Sequence, residues 1–168
     1  YKYVREFGSL FINDQGVPDS LSSPGGMFVT DDEIYVADTE NARIVVFDRQ
    51  GGFLRIILEP KSQLMGSDAI YKPVAVAVDA DKNVYVVSST TYMGIIVMNQ
   101  YGEFKGFLGA QKAEVDLATI FWRQFQTAQQ IAQTVKILPV EYNNITIDDE
   151  GFIYATTSGI SDAQQQAA

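Results

Sequence analysis

Apolar, β-branched and aromatic residues gather along the chain in short runs: Met27 to Val29, Ile34 to Ala37, Ile44 to Phe47 and Phe53 to Leu58. Between them lie Asp31-Asp32-Glu33, Asp38-Thr39-Glu40-Asn41 and Arg49-Gln50-Gly51-Gly52, residue types that favour turns. Runs this short, bounded this way, predict four antiparallel strands. The order of runs then returns. Setting SPGGMFVTDDEIYVAD above KPVAVAVDADKNVYVVS aligns Pro24 with Pro73, Val29 with Val78 and Tyr35 with Tyr85, about 50 residues on. Further along, Gly51 meets Gly102 and Phe53 meets Phe104. A third copy opens at YNNITIDDEGFIYATT, where Ile147 answers Val78 and Ile153-Tyr154 answers Val84-Tyr85. At the other end, Tyr3 to Gly8 reads like Phe104 to Gly109, the closing strand of a unit.

Four short antiparallel strands per repeat of roughly 40 to 50 residues is the period of a propeller blade. The string Pro24 … Ile34-Tyr35-Val36-Ala37-Asp38-Thr39 … Asn41 … Arg43-Ile44 … Val46-Phe47-Asp48 … Gly51 resembles the NHL repeat of β-propellers. In the second unit Ser88-Ser89-Thr90 stands in place of Ala-Asp-Thr, and Gly94 in place of the Arg. The third unit, with the insertion before it, is similar to NHL-type proteins of Gram-positive bacteria. The resemblance implies an all-β fold, a β-propeller of four-stranded antiparallel blades, six-bladed when complete, carrying one helical insertion between blades. The expected boundaries are a closing strand over 1–8, blades over 24–58 and 73–109, the insertion over 111–137 and the first half of a further blade over 142–158. These fall short of the four to eight blades or so that close a propeller. The expectation is part of a longer propeller, its remaining blades in the same chain or another.

The insertion is read from Ala118, Phe121, Trp122, Phe125, Ala128, Ala132 and Val135, spaced by threes and fours with glutamines mostly between. Packing on the propeller is the plain role for such a helix, and docking a partner or covering a pocket the alternative.

Composition narrows the chemistry. Lys and Arg number 12 against 21 Asp and Glu, a formal net charge of −9, which repels nucleic acid. No run of about 18 apolar residues exists, so no membrane-inserting segment is expected. The chain has no Cys and no His, so thiolate chemistry, the commonest zinc ligands and the usual near-neutral general base are missing from it.

Three long connections, Ser9 to Ser23, Glu59 to Lys72 and Ala110 to Glu141, share one face with the tips Asp38 to Arg43 and Ser88 to Gly94. Binding is sought on that face. Asp38, Asn41 and Arg43 read first as turn stabilisers. Asp79-Ala80-Asp81-Lys82-Asn83 imitates the start of a calcium loop, but Val84 and Thr90 stand where its Gly and Glu belong, and Asp148-Asp149-Glu150-Gly151 occupies the same place. Both read as hairpin tips. Alignment with Lys72 to Ala75 puts Glu141, Tyr142, Asn143 and Asn144 at the mouth of an innermost strand, facing the propeller axis. Six-bladed lactonases of similar architecture hold a divalent cation near the axis with Glu, Asn and Asp oxygens. The matching mouths here, Gly25-Gly26 and Val74-Ala75, have no side-chain oxygen.

The expected ligand-binding set is therefore Glu141, Tyr142, Asn143 and Asn144 with Tyr92 and Arg43. No catalytic residue, metal site or cofactor is expected, Ca²⁺ being the alternative. The expected function is a non-enzymatic binding scaffold for a protein, peptide or glycan, outside the cell or at its surface, with the cytoplasm as the alternative location. The rival is a metal-dependent hydrolase or lyase of the six-bladed propeller type.

Overall fold

Twelve strands follow one another along the chain in a computed structural model that describes residues 5–62, 70–91, 94–109 and 141–157. A small hairpin, β1 (Phe11–Ile12) with β2 (Pro18–Asp19), precedes the first blade. That blade is β3 (Pro24–Val29), β4 (Glu33–Asp38), β5 (Arg43–Asp48) and β6 (Phe53–Leu58), antiparallel in that order. The second is β7 (Pro73–Val78), β8 (Val84–Ser88), β9 (Ile95–Met98) and β10 (Phe104–Leu108), again in chain order. A two-stranded sheet, β11 (Tyr142–Ile147) with β12 (Ile153–Thr157), begins the third unit. These sheets have the geometry of NHL blades.

Side chains alternate across each strand, so each blade has two flanks, and the repeat assigns them consistently. Tyr35, Ala37, Ile44 and Val46 of the first blade pack with Val76, Val78, Val84 and Val86 of the second. The opposite flank of the second blade, Ala75, Ala77, Val87 and Ile95, closes on Ile145 and, partly buried, Ile147 and Ile153. Strand β7 thus lies between β3 and β11, inner strand beside inner strand. The remaining flank of the first blade, Ile34, Val36, Val45 and Phe47, is covered by Phe7, Phe11 and Leu21.

Five of the hairpin tips are made the same way. The side-chain oxygen of Asp48 accepts from the backbone N–H of Gln50 and Gly52, that of Asp79 from Asp81 and Asn83, and that of Asn99 from Tyr101 and Glu103. Asn13 and Asp148 do likewise in their own turns. The short polar side chain replaces a backbone partner, and the chain turns through a left-handed residue such as Gly51, at φ 86°.

Where innermost strands converge, only small residues fit. A Cβ on Gly25 would sit 2.6 Å from the backbone oxygen of Val74 in the next blade. Gly25→Ala is expected to force the two strands apart and cost about 1–3 kcal/mol. Urea melts should show a lower midpoint at unchanged slope, and a midpoint equal to the parent's would mean the seam yields freely.

One expectation changes. The described residues contain no α-helix, the single helical element among them being a 3-10 turn at Thr39–Asn41. The fold of the described residues is therefore all-β, and the propeller with a helical insertion is corrected on that point. The 111–137 segment from which the helix was read lies outside the described residues. Three-four spacing only says which side chains could share a helical face, whereas a helix forms only if that face is packed. The expected closing strand over 1–8 lies partly outside the described set, at residues 1–4, and residues 5–8 carry no strand. Phe7 instead inserts its ring beside Phe47, 5.2 Å between centroids.

Candidate functional site

The polar groups of the loop-rich face divide into those tied up in the fold and those left to act. Asp38, at the end of β4, is wholly buried. One of its oxygens accepts from the Ser22 N–H, and the other from Asn41 Nδ2 and Arg43 Nε, both at 2.8 Å. The far end of the Arg43 guanidinium forks onto Asp19, Nη1 to Oδ2 and Nη2 to Oδ1, each 2.8 Å, and Nη2 also reaches Ser20 O. Planar guanidinium against planar carboxylate is the strong, directional form of this contact. The Arg43 hydrogen bond holds the Asp19 carboxyl well below the usual carboxylate range. Arg43, expected among the ligand-binding residues, has each guanidinium nitrogen committed to a protein oxygen.

On the opposite face, Glu33 joins the blades. It accepts from both terminal nitrogens of Arg55, from the Tyr35 hydroxyl and, at 3.0 Å, from Lys82 of the second blade. Arg55 lies over the Tyr35 ring, and its buried Nε has no hydrogen-bond partner. Arg55 beside Glu33 pulls that carboxyl down to about 2, from an ordinary value of 4.5. In the second unit, burial pushes the Asp79 carboxyl up, but hydrogen bonds from Asn83 and Tyr85 outweigh it and the net direction is down.

The sign of the pH dependence follows. A carboxyl whose folded pKa is depressed contributes stability that is fully present above its unfolded value, near 4.5 for Glu33, and lost as pH falls toward about 2. Asp19 and Asp79, shifted the same way, add to the loss. Thermal melts should show Tm falling between about pH 5 and pH 2, with a shallower fall in Glu33→Gln. Parallel profiles for the two proteins would exclude Glu33 as a source.

The expected binding residues come only partly together. Glu141, Tyr142 and Asn143 line one side of a cavity of about 290 Å³ between the second blade and the third sheet. Val74, Val87, Ser88, Ser89, Thr91 and Gly94 line the rest. Tyr142 also donates to Gly109 O at 3.4 Å. Asn144 is not part of the wall: it pairs across the sheet with Thr156, and its side-chain oxygen accepts from the Ile145 N–H. Its position in the repeat is that of Ala75, on a blade flank. Tyr92 lies outside the described residues. Sequence reading missed Ser88, Ser89 and Thr91 as wall residues, and also set this tip one residue out of register. Asp38 pairs with Pro24 and Ser88 with Pro73, so Ser88 takes the place of Asp38 and Ser89 that of Thr39. A second groove, about 590 Å³, runs between the outer strands of the two blades along Leu58, Glu59, Tyr101 and Phe104.

No group of three or more His, Cys, Asp and Glu among the described residues is placed to hold a metal ion. No helix among them is long and apolar enough to cross a membrane.

Four-stranded antiparallel sheets in sequence order, inner strands side by side and an Asp-Asn-Arg cluster at the tip of the first blade match the geometry of NHL blades. Residues 21–47 match the family model of the NHL repeat, a span covering β3, β4 and nearly all of β5. A search of curated proteins returns no match.

Proposed function

We propose that the chain is a non-catalytic propeller scaffold that binds a protein, peptide or glycan on its loop-rich face, at the seam between the second blade and the third sheet. The observation that carries this reading is the cavity walled by Ser88, Ser89, Thr91, Glu141, Tyr142 and Asn143. Ligand sites are concave, with apolar walls and a few polar groups that fix orientation. Val74, Val87 and Tyr142 supply the apolar part here, and the hydroxyls, amide and carboxylate the polar part. The other acids on the described surface with geometry suggestive of a metal loop, Asp79 and Asp148, spend their oxygens on their own turns. That, with the lack of a metal-holding cluster among the described residues, argues against the hydrolase or lyase reading. Action outside the cell or at its surface belongs to the same proposal and rests on the resemblance to bacterial NHL-type proteins.

The test is binding of the immobilised chain to peptide and glycan arrays, with the double variant Tyr142→Ala/Asn143→Ala as control. A wall contact worth more than about 1 kcal/mol should weaken binding at least about fivefold in the variant. Binding indifferent to both substitutions would move the site elsewhere. Lactone turnover by the parent chain with added Ca²⁺, Mn²⁺ or Zn²⁺ would replace the scaffold with an enzyme.

A further inference from the structure

On the loop-rich face the seam between the first two blades is closed by two contacts. Thr39 Oγ1 donates to Pro73 O at 2.7 Å, and Lys72 Nζ reaches Glu40 Oε1 at 3.1 Å. Strand register carries this seam onto the next one residue by residue, because Pro24 faces Asp38, Pro73 faces Ser88 and Tyr142 faces Thr157. Ser89 then stands for Thr39, Thr90 for Glu40, Tyr142 for Pro73 and Glu141 for Lys72. The charges do not carry over. The carboxylate has become a hydroxyl, which is occupied by Ile70 O, and the ammonium has become a carboxylate. No hydrogen bond joins Ser89 to Tyr142 among the described residues, and Gly94 replaces the bulk of Arg43. The cavity of about 290 Å³ opens where the first seam is shut, and the exposed Glu141 has no ion-pair partner among the described residues.

We propose that this cavity takes a primary ammonium group, free or at the end of a lysine side chain, with Glu141 as its counter-ion. The proposal rests on the binding reading of the same site and names its ligand chemistry. An ammonium has three donors and no acceptor, and Glu141 can take one while the hydroxyls of Ser89 and Thr91 across the cavity take the others, Asn143 Oδ1 already accepting from the Thr156 hydroxyl. Guanidinium fits less well, since it wants a planar, bidentate partner, and the wall offers one carboxylate among scattered single oxygens. A divalent cation wants roughly six to eight oxygens. Val74, Val87 and Tyr142 provide an apolar surface for the methylenes behind the charge. The net charge of −9 adds long-range attraction for a cationic ligand.

The experiment is an NMR titration of the full chain with three probes: n-butylamine, a capped Gly-Lys-Gly peptide and the same peptide acetylated on its lysine. The expected result is movement of the Ser89, Thr91 and Asn143 amide signals by the lysine peptide and not by its acetylated form. Similar shifts with butylamine identify a free amine as sufficient, and shifts with the peptide alone identify a lysine side chain, either outcome supporting the ammonium. Glu141→Gln should weaken binding about tenfold, the loss of a charge-assisted contact. Glu141→Lys, which restores the charge found at Lys72, should abolish it. Glu141 is exposed, so both variants should keep the parent's circular dichroism. Equal affinity for the acetylated peptide would overturn the ammonium while leaving a peptide-binding scaffold in place. Equal affinity of Glu141→Gln, or no shift at the seam with either amine, would overturn it as well, and the array experiment then decides separately whether the scaffold reading survives.

Discussion

Arg43→Ala is expected to lower stability by about 3–5 kcal/mol, because it strips the partner from a buried charge rather than merely removing a contact. Asp38 is fully buried and Arg43 nearly so, its side chain 11% exposed. Without the guanidinium, Asp38 keeps only donors from Ser22 and Asn41, and Asp19 loses its two-pronged contact. For a domain of this size the expected fall in Tm is on the order of 10 °C. Arg43→Lys should fall between the two proteins, since an ammonium cannot span Asp38 and Asp19 as the fork does.

The repeat supplies the control for that experiment. The second blade is built with Ser88 and Gly94 where the first has Asp38 and Arg43, so a blade tip of this kind closes without a buried charge. Adding Asp38→Ser to Arg43→Ala should therefore recover part of the loss, a non-additivity that marks the two residues as coupled. Urea melts of the four proteins decide it. A single-variant loss below about 1 kcal/mol would show that water reaches Asp38 and solvates it. Strict additivity would show that Arg43 acts through Asp19 alone.

The strands were legible because their signal is local. Alternation, turn clusters and a repeated order need only neighbouring residues, and β4, β5, β8 and β11 lie where those signals put them. Arg43 was legible as a partner of Asp38, five residues away, but not of Asp19, which belongs to a hairpin of two-residue strands too short to leave a pattern. The candidate cavity was half legible for the same reason. Glu141 to Asn143 were found by aligning the repeat, whereas Ser89 and Thr91 were missed because the tip was aligned one residue out: Ser88 faces Pro73 as Asp38 faces Pro24, across the same bulge in both blades. The helical reading rested on a pattern that specifies a face without specifying a surface to receive it, and the described residues carry no α-helix in support of it.

The segment before the first blade was read as a long functional loop, and the structure makes it a lid over a blade flank. Phe47→Ala should expose that difference. The Phe47 ring is fully buried, edge-on to Phe7 and to Phe11 at centroid distances of 5.2 and 5.4 Å, and Phe11 stacks on Phe53 at 5.2 Å. Truncation removes the ring from the middle of that cluster, and the cost expected for a core Phe is about 3–5 kcal/mol, with aromatic pairs adding roughly 0.5–1.5 each to what is lost. Residues 5–22 have little else to hold them: the Arg5 Nη2 to Arg49 O and Leu21 N–H to Gly8 O bonds, the β1–β2 pairing and the contacts of Asp19, Ser20 and Ser22 with the blade tip. Hydrogen exchange should therefore rise first over Phe7 to Leu21 in the variant, before β7 and β8 are affected, because those strands are covered by the other flank. Simultaneous loss of protection in both regions would mean that the flanks unfold as one unit. Unchanged protection over Phe7 to Leu21 with an unchanged Tm would mean that the aromatic cluster does not hold the segment.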